Sequence, residues 1–130
     1  MSTGELAVGT ALSSRQYLAE VAAASTSTRA FVATLNGLAP TVTPASARAA
    51  AAQLHAQAAA TDMVYRHLSA GRVGDDRLDG QRTRVLPRLA ALATVMNDIA
   101  DLAAQGKDVQ LVALLPTMRQ AAAKLRSAGG

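Results

Sequence analysis

Apolar side chains recur at steps of three and four residues in four stretches of this 130-residue chain. Such spacing places them on one face of a helix, so each stretch predicts an amphipathic helix with one stripe to bury. The first two stripes are Tyr17, Val21, Ala24, Thr28, Phe31, Leu35 and Ala47, Ala51, Leu54, Ala58, Thr61, Tyr65, Leu68. The last two are Val85, Leu89, Leu92, Met96, Ile99, Ala103 and Leu111, Leu115, Met118, Ala122, Leu125.

Capping residues indicate where the helices begin. Ser13 and Thr43 are N-cap hydroxyls, Pro44 suits a first helical position, and Asp108 caps the last helix. The predicted helices cover about residues 14–36, 44–70, 87–105 and 108–127, after a flexible tail over residues 1–12.

The beginning of the third helix is open to two interpretations. Residues 71–84 are rich in glycine, aspartate and arginine and predict a polar connection. Pro87 either starts the helix or kinks a helix that begins near Asp76.

Four stripes of similar length, joined mostly by short connections, predict one all-α domain over residues 13–127. The expected architecture is an antiparallel up-down-up-down four-helix bundle. Alanine dominates the apolar half of the composition, which predicts closely packed helices rather than a wide cavity. The run Ser25–Thr28 weakens the middle of the first helix, where a slight bend and a polar ligand contact are the two interpretations.

The first helix carries a resemblance to a known kind of domain. The stretch YLAEVAAASTSTRAF, residues 17–31, resembles the opening of small helical domains in actinobacterial lipoproteins and secreted proteins of unassigned function. Ala23 and Ser25 stand where that opening has proline and asparagine. The resemblance implies a location outside the cytoplasm and a binding or sensory role, with no catalytic residues to transfer.

Charge and export signals constrain the partners. The net charge is +4, from 13 Lys+Arg against 9 Asp+Glu. The densest cationic feature, a candidate surface for an anionic partner, consists of Arg72, Arg77, Arg82, Arg84 and Arg88. Aspartates interrupt it and no aromatic residue is nearby for base stacking, so local salt bridges are the favoured interpretation and nucleic acid is not the expected partner.

The first residues do not read as a signal peptide and no apolar run is long enough to span a membrane, so export would require a leader ahead of this sequence.

The candidate cofactor ligands are few. His55 and His67 lie about 18 Å apart along one predicted helix, which is too far to share a metal ion, and no metal site is predicted. Together with Tyr65 they are weak candidates for holding a haem. No cysteine is present, and the stripes carry no acid–base pair, so neither an enzyme nor a bound cofactor is expected.

The sequence therefore favours a non-enzymatic helical-bundle module outside the cytoplasm that binds an unknown protein or small molecule. A homodimer is also left open. The first alternative is a cytoplasmic regulatory or nucleic-acid-associated protein that uses the Arg72–Arg88 surface. The second alternative is a carrier of haem or of a hydrophobic ligand.

Overall fold

The computed structural model describes residues 11–38 and 40–129, and its four helices pack as the predicted bundle. Helix α1 spans Ser14–Asn36, α2 spans Pro44–Ser69, α3 spans Asp76–Ala104 and α4 spans Asp108–Gly129. Each helix packs against the next one along the chain, because the connections between them are short. None of the described helices combines the length and apolarity needed to cross a membrane.

Helices α1 and α2 both begin with a capping box, in which the side chains of two residues each accept the backbone N–H of the other. The Ser13 hydroxyl accepts the backbone N–H of Gln16, and the Gln16 side chain accepts the Ser13 N–H at 2.9 Å. Thr43 and Ser46 make the same exchange at the start of α2. Each box satisfies backbone donors that the first turn of a helix leaves free, so both predicted starts are confirmed.

Helix α3 begins well before Pro87, so much of the predicted polar connection is helical. The Asp75 carboxylate accepts the backbone N–H of Leu78 at 3.0 Å and caps the first turn. Asp76 and Asp79 lie in that turn, where carboxylates interact favourably with the helix dipole. Pro87 is an exposed residue within the helix and does not start it.

The prediction of a flexible tail over residues 1–12 is wrong at its last two residues, which form a short strand. Strand β1 (Ala11–Leu12) pairs in parallel with strand β2 (Arg72–Val73), and Gly74 donates its N–H to the Leu12 carbonyl at 3.1 Å. Val73 is buried and Leu12 packs against the same core, so burial of these two side chains holds the pair in place. Residues 1–10 of the predicted tail lie outside the described residues.

The core consists of two apolar clusters stacked along the bundle. The Phe31 cluster joins the second half of α1 to the first half of α2, the second half of α3 and most of α4. The Tyr17 cluster joins the first half of α1 to the ends of α2 and α4 and the beginning of α3. Each cluster combines the end of one helix with the beginning of the next, which is possible only if consecutive helices run in opposite directions.

Most residues of the predicted stripes are buried. In α1 and α4 the partly buried ones are Val21, Leu115 and Leu125. In α2 one predicted position is replaced by its neighbour. Val64 is 4% exposed and occupies the core position, whereas Tyr65 is only half-buried. Thr61 and Leu68, on either side along the helix, are completely buried. Val64 lies three residues after Thr61 and four before Leu68, so both spacings are helical and the stripe could not distinguish it from Tyr65.

Candidate functional site

The candidate site is a cleft between α1 and α4, the first and last helices of the bundle. No connection joins these two helices, and they approach each other less closely than the connected pairs do. The cleft between them has a volume of about 470 Å³. This volume lies within the range of about 300–1,000 Å³ that is typical of small-molecule sites.

Small side chains keep the cleft open. Ala24 of α1 and Ala122 of α4 are buried in its wall, and neither has atoms beyond Cβ that could fill the space. The apolar lining consists of Val21, Ala24, Leu68, Val85, Leu89, Ala122 and Leu125. The predicted close packing applies to the connected helix pairs, whereas at this seam alanine leaves a gap because the two backbones do not close up.

Four polar side chains complete the lining, and three of them come from α1. Ser25 and Thr28 contribute hydroxyls, while Arg29 and Arg126 contribute exposed guanidinium groups from α1 and α4. Arg29 donates to the Ser25 hydroxyl at 2.9 Å. Among the described residues, no carboxylate lies within ion-pair distance of Arg29 or Arg126. The cleft is thus apolar within and positively charged at its edge.

A layer of buried hydroxyls lies behind this wall and separates the two apolar clusters. Ser27 of α1 and Thr61 of α2 are 2.6 Å apart between their hydroxyl oxygens, and Ser27 donates to the Ala24 carbonyl at 3.1 Å. Each hydroxyl has one proton to donate, and Thr61 also lies 3.3 Å from the Gln57 carbonyl. Thr61 therefore donates to Ser27 when Ser27 donates to Ala24. Ser27 donates to Thr61 when Thr61 donates to Gln57. This pair fixes the position of α1 along α2.

The Thr28 side chain lies next to the hydroxyl layer and has no hydrogen-bond partner among the described residues. In a helix a threonine hydroxyl usually bonds to the carbonyl four residues earlier, which here is the carbonyl of Ala24. That carbonyl already accepts the Ser27 hydroxyl and the helical N–H of Thr28. The Thr28 Oγ1 atom is buried with no hydrogen bond to any described residue, and its side chain lines the cleft.

The two histidines lie outside the cleft and pair with carboxylates. His55 Nε2 is 2.9 Å from Asp101 Oδ1, and His67 Nδ1 is 3.1 Å from Glu20 Oε2. Both pairs are largely exposed, and they tie α2 to α3 and to α1 respectively. Tyr65 packs beside the Tyr17 cluster. The structure does not bring these three predicted ligands together around one space.

Asp79 is the centre of the arginine-rich region. Its carboxylate accepts Arg82 Nε and the Val73 N–H, both at 2.9 Å, and lies 3.7 Å from Arg72 Nε. Arg82 also donates to the Leu68 carbonyl at 2.8 Å, in the last turn of α2. Asp79 and Arg82 therefore join the end of α2, strand β2 and the beginning of α3.

The other predicted arginines are divided between internal and exposed positions. Arg88 donates to the Lys124 carbonyl at 3.2 Å and so joins α3 to α4. Arg77 and Arg84 are exposed. Since Arg82 is only 13% exposed and bonded twice, it is poorly placed to bind an external anion. A role of this surface in binding an anionic partner stays a prediction.

Two ionisable groups in this region have shifted pKa values. The Val73 N–H bond, helped by Arg82 and Arg72, lowers the pKa of Asp79 below its usual 3.8. Burial raises the pKa of Tyr17, although the charges of Arg84 and Arg82 oppose that shift. The Tyr17 hydroxyl donates to Gln81 Oε1 at 2.7 Å, so a neutral phenol links α1 to α3.

A second groove lies on the outer surface of α3 and α4, between Pro87 and Ser127. Its volume of about 750 Å³ is larger than that of the cleft, but it is more open to solvent. Its lining includes the basic side chains of Arg88 and Lys124. The groove lacks a buried polar atom without a partner among the described residues, which the α1–α4 cleft has in Thr28.

No group of three histidine, aspartate or glutamate side chains converges in the described part of the chain as metal ligands would. No known family, curated protein or solved structure matches this chain. The resemblance of the first helix to actinobacterial lipoprotein and secreted domains therefore stays a prediction.

The cleft residues were not among the sites predicted from sequence. The sequence did contain one signal. The run Ser25–Thr28 places four hydroxyl residues in the middle of a helix, although serine and threonine have low helix propensity. A polar ligand contact was one of its two interpretations. The contributions of Leu125 and Arg126 had no local signal, since they face the cleft only when α4 closes the bundle.

Two neighbouring substitutions should change stability in opposite directions. Ser27→Ala breaks the hydroxyl layer and should reduce the free energy of unfolding by about 1–2 kcal/mol. Thr28→Val removes an unpartnered buried hydroxyl and should increase it by about 1 kcal/mol. Urea unfolding followed by circular dichroism measures both. Destabilisation by Thr28→Val would show that this hydroxyl has a partner in the folded protein.

Asp79 should make the protein sensitive to acid. Its folded-state pKa lies below 3.8, so its stabilising effect is complete above that pH and is lost as the pH falls through the lower value. Asp79→Asn should therefore be less stable at neutral pH and lose less stability on acidification. Unfolding midpoints measured from neutral pH down to strong acid test this. Asp98→Asn, an exposed change on the same helix, is the control and should keep the acid-dependent loss.

Proposed function

We propose that this protein is a non-enzymatic binding module and that the α1–α4 cleft is its binding site for a small, mainly apolar ligand. The observation that carries this proposal is the mostly aliphatic wall of the cleft, which includes Thr28, a residue whose buried hydroxyl has no hydrogen-bond partner among the described residues. An unsatisfied buried hydroxyl costs about 1–3 kcal/mol, so a ligand that bonds to it would recover stability that the unliganded protein lacks.

The chemistry of the lining supports binding rather than catalysis. The polar lining residues are the hydroxyls of Ser25 and Thr28 and the guanidinium groups of Arg29 and Arg126. Hydroxyls and guanidinium groups hold a ligand well, whereas a general base is usually an imidazole, a carboxylate or an amine. The apolar walls supply affinity and the few polar groups supply orientation, which is the usual division in small-molecule sites.

The alternatives receive less support from the side-chain positions. A haem carrier would use His55 or His67, but both pair with carboxylates outside the cleft. A nucleic-acid-associated protein would use the Arg72–Arg88 surface, where Arg82 is engaged with Asp79 and the end of α2. An unidentified protein partner, a homodimer and a location outside the cytoplasm stay predictions from the sequence.

A neutral fluorescent probe tests the proposed site. N-phenyl-1-naphthylamine should bind saturably, with a rise in emission as it leaves water for the cleft. Val21 lines the cleft and is half-buried, so Val21→Phe adds bulk there without replacing a core residue. This change should weaken probe binding roughly tenfold or more, because the ring takes space from the probe.

The matched control introduces the same ring outside the cleft. Leu18 is 53% exposed and lies one turn earlier on α1, so Leu18→Phe should leave probe affinity unchanged. Absence of saturable binding would contradict the proposed function, as would equal weakening by both substitutions. Circular dichroism should confirm that both variants remain helical.

A further inference from the structure

We propose that the ligand of the α1–α4 cleft is an anionic amphiphile, a fatty carboxylate whose chain lies against the apolar wall and whose head group meets Arg29 and Arg126. This inference rests on the proposed function and specifies the chemical class of the ligand. Three properties of the cleft carry it, namely its wall, its charged edge and its unpartnered hydroxyl.

The wall fits a hydrocarbon chain. Seven of the eleven lining residues are aliphatic, and they come from all four helices, so a chain in the cleft would meet apolar atoms on several sides. Branched side chains from α1, α2, α3 and α4 form part of this wall. Burial of the ligand's hydrocarbon chain against them removes it from water and supplies the affinity. Each buried methylene should tighten binding roughly fourfold.

The charged edge selects the head group. Arg29 and Arg126 are exposed guanidinium groups on the two helices that border the cleft, and no described carboxylate pairs with either. The Ser25 hydroxyl bonds to Arg29 and restricts its side chain on the cleft side of α1. Guanidinium forks match the two oxygens of a carboxylate in geometry and charge. A cationic head group would be repelled at the same place.

The arginines elsewhere in the chain show why these two are suited to an anion. Arg66 pairs with Asp62 on its own helix, and Arg82 pairs with Asp79. Arg88 bonds to a backbone carbonyl at the end of α4. Eight of the eleven arginines, Arg88 among them, have no described carboxylate partner, and Arg29 and Arg126 differ from the other six because they lie together at the edge of the α1–α4 cleft.

The Thr28 hydroxyl supplies a neutral hydrogen bond next to the charges. Thr28 is 8% exposed and its side chain forms part of the cleft wall, but its hydroxyl oxygen is almost closed to solvent, so it bonds to a head group only when rotation about the Cα–Cβ bond turns it toward the cleft. When Ser27 donates to the Ala24 carbonyl, the local acceptor of Thr28 is occupied and the Thr28 proton is left for another acceptor. A carboxylate oxygen is such an acceptor.

Competition against the neutral probe tests this inference with three ligands of equal chain length. Decanoate, decanol and decyltrimethylammonium differ only in the head group. We expect decanoate to displace N-phenyl-1-naphthylamine at concentrations roughly tenfold lower than decanol, because the head group gains charge-assisted bonds. Decyltrimethylammonium should be the weakest competitor.

Variants assign that preference to named side chains. The double change Arg29→Gln and Arg126→Gln should remove the preference for decanoate and leave decanol affinity unchanged. Arg77→Gln lowers the net charge at an exposed residue outside the cleft and should keep the preference. Thr28→Val should weaken decanoate roughly fivefold while it stabilises the unliganded protein. A purely structural role of Thr28 would not produce these opposite effects.

The outcomes separate this inference from the proposed function. Equal affinity for decanoate and decanol would overturn the anionic ligand while the cleft remained a binding site. Retention of the preference in the double variant would also overturn it, because general attraction to a basic protein would then explain the effect. If the probe itself fails to bind, the proposed function fails first.

Discussion

The contact between Ser27 and Thr61 is the interaction on which the rest of the structure depends. It places a buried hydroxyl pair, 2.6 Å apart, between α1 and α2, whose interface also contains the Gln57–Thr34 hydrogen bond and the His67–Glu20 pair. A buried hydroxyl pair is satisfied only when the two helices are in one relative position, so it fixes their register more strictly than alanine contacts can. The Phe31 and Tyr17 clusters then form on either side of it.

The same contact determines the chemistry of the cleft. When Ser27 donates to the Ala24 carbonyl, that carbonyl already has two donors, and the Thr28 hydroxyl is left buried beside the cleft with no partner among the described residues. One residue therefore stabilises the interface with α2, and its neighbour presents a hydrogen-bonding group between α1 and α4. The cost of that arrangement is an unsatisfied group in the unliganded protein, which is a common feature of binding sites.

The helices could be predicted from sequence because their signals are local. The stripes, the Ser13 and Thr43 caps and the alternation of helix direction all depend on residues close together in the chain. The β1–β2 pair could not be predicted in this way, because two residues are too few for an alternating pattern. The start of α3 at Asp76 is one of the two interpretations that the sequence left open, and the Asp75 cap decides between them.

The candidate site was largely hidden from sequence for a different physical reason. A cleft is a space between elements, and its existence depends on how closely α1 and α4 approach after the other three interfaces have formed. Alanine at Ala24 and Ala122 is compatible with either a closed or an open seam. The free charges of Arg29 and Arg126 are likewise defined by the positions of carboxylates on other helices.

The most direct test of the central claim is a titration of the ¹⁵N-labelled protein with decanoate, followed by amide chemical shifts. If the cleft is the site, the largest changes occur at Val21, Thr28 and Leu125, which lie on the two helices that border it. Amides of Ala91 and Thr117, in the outer groove of α3 and α4, should change little. Changes concentrated at Ala91 and Thr117, or an absence of saturable changes, would contradict the account.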